Sequence, residues 1–204
     1  MHNEILSDKQ TDLLPFVSQF KRSFYLVGGT AIALHIGHRR SVDFDLFAPA
    51  RLNQMRILQK MSFAKGQKIL IFKDIDQLHY YINEVKVTFF QYPYAVPHPV
   101  KFDNVISVPS LLSLAAMKAF ALGRRAKWKD YIDLYFIIKD FFCIAKIAAE
   151  AARIFGDLFS EKLFRQQLAF HKDIDYSEEV EYMNGFQIKD EEVKAFLIDK
   201  ALEF

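Results

Sequence analysis

The stretch Phe24–Pro49, FYLVGGTAIALHIGHRRSVDFDLFAP, decides how the rest of the chain is read. Its first residues, Phe24, Tyr25, Leu26 and Val27, form an apolar run of strand formers. Gly28 and Gly29 break the run, and Thr30 to Ile36 has the composition of a short helix that Gly37 stops. A basic loop, His38-Arg39-Arg40, leads into Ser41-Val42-Asp43-Phe44-Asp45-Leu46-Phe47. Alternation along a strand puts Asp43 and Asp45 on one face and the hydrophobes on the other.

Two carboxylates side by side repel each other unless a proton, a cation or solvent intervenes. Their oxygens suit Mg²⁺ or Mn²⁺, hard cations that complete their shells with water or substrate phosphates. A glycine turn opening a helix offers N–H groups and a positive dipole end to an anion. Gly28, Gly29 and Thr30 therefore read as a phosphate cradle, with Gly29 making the closest backbone approach and free to take a positive φ. Taken singly, a Gly-Gly is only a turn and an Asp-x-Asp only a solvated strand. In this order, with strand patterning on both sides, they suit phosphoryl or nucleotidyl transfer, where positioning and charge neutralisation dominate catalysis.

These residues resemble the polymerase-β-like nucleotidyltransferase superfamily, marked by Gly-Gly or Gly-Ser, a helix, then Asp-x-Asp or Asp-x-Glu. More narrowly, LVGGTAIALHIGHRRSVDFDLF, together with Met117-Lys118 and Lys129-Asp130-Tyr131-Ile132-Asp133-Leu134, is similar to the AbiEii/AbiGii toxin-type nucleotidyltransferases of bacterial toxin–antitoxin and abortive-infection loci. The resemblance implies a Mg²⁺-dependent transfer of NMP from an NTP to an acceptor hydroxyl on RNA, such as a tRNA end, or on protein. It implies an antitoxin as a further partner. It makes Asp43 and Asp45 the metal ligands and gives Lys118 a triphosphate contact. Asp130 becomes an active-site acid, and Ser41, Arg124, Arg125 and Lys129 join the nucleotide-binding set. In the superfamily a third carboxylate commonly sits on a later strand. The aligned position here is Thr88, which can hydrogen-bond but cannot act as a base at neutral pH. That departure keeps an alternative open: a catalytically inactive nucleotide-binding or protein-interaction module of the same fold.

The 204 residues, with a net charge of +2, 51% hydrophobic and 15% aromatic content, can bury a sizeable core and make no case for nucleic acid by bulk charge. The single cysteine, Cys143, rules out an intrachain disulfide framework, fits a reducing cytoplasm and reads as a buried packing residue between Phe142 and Ile144. The N-terminus lacks the pattern of a signal peptide, and no apolar run approaches membrane-spanning length.

In chain order, Ser7 or Asp8 caps a helix to Phe20 that Pro15 threatens to kink. Asn53 to Met61 reads as a helix with Leu52, Met55 and Leu58 facing inward. Lys68–Lys73, Gln77–Ile82 and Val85–Gln91 read as strands, for a mixed sheet of about five. Gln91 to Asn104, with Pro93, Pro97 and Pro99, reads as a linker to a helical half. Helices follow from Ser110 to Gly123, from Trp128, over Ile144–Phe155 and Ser160–Phe170, and at the tail to Phe204. Lys118 on the first of these otherwise reads as a snorkelling lysine. Arg124, Arg125, Lys127 and Lys129 cluster at a helix N-terminus, where the dipole disfavours cations, so an anion is the expected partner. Asp130 and Asp133 share a helix face; Asp130 can pair with Lys118 or Arg124, and Asp133 reads as a buried acid paired to a base. The expected fold is α/β (α+β): a nucleotidyltransferase-like core over residues 1–100 and a helical half over 101–204.

Overall fold

A computed structural model gives the architecture and describes residues 1–122 and 124–203. The chain divides into two compact units, Met1–Ser110 and Leu111–Phe204. The first is built on a seven-stranded mixed sheet. Its strands are β1 (Tyr25–Val27), β2 (Phe44–Ala48), β3 (Lys68–Lys73), β4 (Gln77–Ile82), β5 (Val85–Gln91), β6 (Val100–Phe102) and β7 (Ile106–Val108), in the order β3-β4-β5-β2-β1-β7-β6. Pairings β2–β5 and β1–β7 are parallel and the others antiparallel.

Two sequence expectations change here. The sheet has seven strands rather than five, and the supposed linker ends in the β6–β7 hairpin, so the first unit runs past residue 100 to Ser110. Strands of three residues are too short for alternation to register, and the prolines just before them dominate the local signal. Asp103 makes the turn with φ 44°.

Helix α1 (Asp8–Ser18) starts with a capping box between Ser7 and Gln10 and continues through Pro15 without a break. It lays Phe16 against an aromatic cluster in which Phe20 and Phe24 lie 4.8 and 5.4 Å from Phe89 of β5, ring centre to ring centre. Such pairs add about 0.5–1.5 kcal/mol each beyond their buried area, and this cluster fixes one face of the sheet. Helix α2 (Gly28–Ile36) ends at Gly37, in the left-handed conformation at φ 79°. In α3 (Gln54–Lys60) the buried residue is Ile57, whereas Met55 and Leu58 are exposed, contrary to the inward face expected for them. Leu52 and Met61 are buried as expected, and Ile57 falls on their side of the turn. Strand β3 forms a sheet edge with all six residues exposed. Terminal lysines and a bulge between Leu70 and Phe72 are the features that keep such an edge from pairing indiscriminately.

The second unit is helical: α4 (Leu111–Leu122), α5 (Trp128–Asp140), α6 (Ile144–Phe155), α7 (Glu161–Ala169) and α8 (Asp190–Leu202). Helix α5 is its centre, buried without interruption from Asp130 to Ile138. The Tyr131 hydroxyl donates to the carbonyls of Gln167 and Phe170, tying α5 to the end of α7. The Phe120 and Phe155 rings stack at 3.8 Å between α4 and α6. Cys143, expected in the core, is exposed, because it is the residue just before α6 rather than part of a packed face. Gly123 and Phe204, expected as helix ends, lie outside the described residues. No helix among the described residues is long and apolar enough to cross a membrane.

Candidate active site

The site is assembled where β1 passes into α2. Antiparallel pairing sets Val27, the last residue of β1, opposite Asp45 of β2. Gly28 then takes φ +76°, which turns the chain straight into α2. A Cβ built on Gly28 would overlap the Asp45 carboxylate, so backbone and acid are in direct contact there. The left-handed residue is thus Gly28 and not Gly29. A Cβ at Gly29 would instead meet Arg39 Nη2 at 2.6 Å and Ser41 Oγ at 2.9 Å.

The loop carrying Ser41 and Asp43 is fixed from two sides. Thr30, only 1% exposed, donates its hydroxyl to the Asp43 carbonyl and to the Ser41 carbonyl at 3.2 Å. Gln10, fully buried on α1, donates to the same Ser41 carbonyl at 2.8 Å. The Thr30 hydroxyl therefore secures the acidic loop to the first turn of α2. Asp43 precedes β2 and Asp45 lies within it, both half-buried, as the alternation of Asp43, Asp45 and Phe47 requires.

Arg39 is the residue that sequence reading passed over. It is 2% exposed, its Nη1 donates to the Arg40 carbonyl at 2.9 Å, and its other end lies against Gly29. A guanidinium beside the first turn of a helix concentrates positive potential where an anion is best received. The signal was available: three basic residues follow the helix that Gly-Gly opens.

From Asp45 a same-face row crosses the sheet by register. Asp45 pairs with Thr88, Thr88 with His79, and His79 with Phe72. Thr88 is 8% exposed and stands where the third carboxylate is expected.

The remaining predicted residues belong to the second unit. Lys118 does not snorkel: its side chain is 8% exposed, and Nζ is held by Asp130 and by Asp133 Oδ2 at 2.9 Å. Arg125 Nε adds a bond to Asp130 Oδ2 at 2.9 Å. Burial pushes Asp130 up, but Lys118 and Arg125 outweigh it and hold the carboxyl below the usual range. Arg124 lies 3.6 Å over the Phe120 ring and donates to the Phe120 carbonyl. Lys127 and Lys129 both reach Glu178, the latter at 3.5 Å. These side chains of the basic cluster thus have partners within the unit: a carboxylate for Arg125, Lys127 and Lys129, and a ring and a carbonyl for Arg124.

A family model described as nucleotidyl transferase AbiEii toxin, of type IV toxin–antitoxin systems, matches residues 16–106 and 89–200. The chain belongs to the AbiEii family. Its sequence is 32% identical over 123 residues to the uncharacterized protein aq_aa25 of Aquifex aeolicus (strain VF5), a match spanning 57% of this chain and 58% of that relative. Its fold is similar to MenT4, a nucleotidyltransferase toxin from Mycobacterium tuberculosis H37Rv, with a TM-score of 0.66 at 16% identity, over 95% of this chain and 80% of the other. A putative nucleotidyltransferase from Helicobacter pylori follows with a TM-score of 0.58 at 17% identity, over 95% and 92%. At these identities the two structures establish the nucleotidyltransferase fold.

For this AbiEii protein the Gly28 geometry makes a direct prediction. Gly28→Ala forces a side chain into a left-handed backbone, costing about 1–2 kcal/mol, and pushes the Asp45 carboxylate aside. A lower melting temperature together with weaker nucleotide binding is expected from calorimetry and ligand titration. Unchanged NTP binding would separate the glycine turn from the nucleotide site.

Proposed function

We propose that this AbiEii-family protein transfers a nucleoside monophosphate from an NTP to an acceptor hydroxyl, releasing pyrophosphate. The observation that carries this reading is the contact between Gly28 and Asp45: a helix N-terminus suited to phosphate and a carboxylate suited to a cation abut where β1 pairs with β2.

Asp43 and Asp45 would hold Mg²⁺ or Mn²⁺. Among the described residues no group of three His, Cys, Asp or Glu side chains gathers as a metal site. A pair of carboxylates fits a hard cation that fills its shell with water and phosphate oxygens, and does not fit an all-protein zinc cage. When bound, such a cation neutralises charge on the reacting phosphate oxygens. The protein's own part is positioning. The N–H groups of Gly28, Gly29 and Thr30 receive the β,γ-phosphates, with Arg39 and Ser41 beside them. The pinned loop from Ser41 to Asp43 keeps the acids in register with the turn. Family membership supports an NTP as substrate and, as a further proposal, a cognate antitoxin as partner.

The test is incubation of the purified protein with each labelled NTP, Mg²⁺ and either total tRNA or a protein extract. Label on one acceptor class is expected. Saturable NTP binding without label transfer would favour the alternative, a nucleotide-binding module, which Thr88 at the third acidic position keeps in play.

A further inference from the structure

The superfamily position for a proton-accepting carboxylate holds Thr88, whose hydroxyl cannot serve as a base near neutral pH. The register supplies a substitute one strand over. His79 of β4 is the direct antiparallel partner of Thr88, which is the direct parallel partner of Asp45. Directly paired residues project to the same face, so Asp45, Thr88 and His79 form one row. Neighbouring strands lie about 5 Å apart, which sets the His79 backbone about 10 Å from that of Asp45. An imidazole is longer than a carboxylate side chain, and the Asp45 charge acts on the ring.

We propose that His79 accepts the proton of the attacking hydroxyl. This rests on the nucleotidyl-transfer reading and adds to it the base that reading lacks.

The ring is built for one tautomer. Nε2–H donates to Gln77 Oε1 at 3.1 Å, which leaves the lone pair on Nδ1, and Nδ1 has no hydrogen-bond partner among the described residues. Phe72, the β3 partner of His79, packs on the ring at 5.3 Å between centres and limits its rotation. The charged groups facing it are Asp45 of β2 and Lys86 of β5, while β3 presents Phe72. Burial and the Lys86 charge lower the imidazole's affinity for a proton, and Asp45 opposes them more weakly, so the ring is neutral at pH 7 and able to accept. In the step, the acceptor oxygen bonds to the α-phosphorus as the bond from that phosphorus to the pyrophosphate oxygen breaks. Pyrophosphate leaves with the electron pair, and the hydroxyl proton passes to His79 Nδ1 and then to solvent.

The transfer assay with labelled NTP, Mg²⁺ and the acceptor preparation that takes label tests this on the full chain. His79→Ala should lower kcat about 100-fold with the NTP KM unchanged. Added imidazole should restore part of the His79→Ala rate and none of the rate of Asp45→Asn. The wild-type rate should fall on the acid side about tenfold per pH unit, and His79→Ala should lose that limb. Thr88→Asp in the His79→Ala background should recover activity by returning an acid to the vacant position. His79→Gln, melting like the wild type, guards against a folding defect and should match His79→Ala in rate. A His79→Ala enzyme within about threefold of wild type, far from the usual worth of a base, overturns the assignment and leaves nucleotidyl transfer standing. So does a slow variant that keeps the acid limb and ignores imidazole. A wild-type protein that binds NTP but labels no acceptor overturns the transfer reading, and this assignment with it.

Discussion

Asp45→Asn should abolish label transfer while leaving the protein folded. Asparagine keeps the shape of the side chain but has no charge with which to hold a divalent cation. A metal ion at a transferring phosphate is worth several kcal/mol of transition-state stabilisation. At 1.36 kcal/mol per factor of ten, a loss of about a thousandfold in kcat/KM follows. Stability should not fall in parallel, because Asp45→Asn removes one of two nearby like charges from the metal-free protein. The side chain also sits against Gly28, so an isosteric change avoids the clash that a larger residue would create. Mn²⁺ or Mg²⁺ titration, melting temperature and the transfer assay are read together. Asp43→Asn should behave similarly, since Asp43 lies on the same loop secured by Thr30 and Gln10. Wild-type cation affinity in either variant would remove that residue from the metal site.

The turn, the helix and the acidic strand were legible because each announces itself over a few neighbouring residues. Alternation of Asp43, Phe44, Asp45 and Leu46 gives the strand its face, and the glycines mark both ends of α2. Which glycine is left-handed was not legible: Gly28 and Gly29 are chemically identical, and only the approach of Asp45 and Arg39 tells them apart. The β6–β7 hairpin escaped because its strands are too short to show a period. The row from Asp45 to His79 is wholly non-local. It depends on β2 pairing in parallel with β5, 43 residues apart between Asp45 and Thr88, and sequence periodicity carries no information on that choice. In the helical unit, the spacing of Asp130 and Asp133 did foretell a shared face and a base as partner. What it missed is that one lysine answers both acids and is itself buried.

That burial makes Lys118→Met a strongly destabilising change in the second unit. Lys118 on α4 bridges Asp130 and Asp133 on α5, whose side chains are 3% and 0% exposed. Methionine fills the stem's space but leaves two carboxylates, one turn apart, without the ammonium between them. Arg125 still bonds Asp130, yet its side chain is 53% exposed and only partly makes up the charge. Removing one partner of a buried pair typically costs about 3–5 kcal/mol, which for a chain of this size corresponds to a fall in melting temperature of about 10 °C. The pH dependence gives the loss a signature. In the wild type Asp130 is held below its ordinary value, so its contribution is fully present above about pH 4 and is lost as pH falls further. Without Lys118, burial, the largest influence on Asp130, drives it upward instead. A raised carboxyl destabilises the folded state as pH rises from the ordinary carboxyl value toward its own, so the deficit of Lys118→Met should be larger at pH 8 than at pH 4. Asp133→Asn added to Lys118→Met should recover part of the loss, since it removes one of the two buried carboxylates that Lys118 bridges. A Lys118→Met protein that melts like the wild type at both pH values and is impaired only in NTP binding would reverse the assignment. It would make Lys118 a ligand contact rather than the tie between α4 and α5.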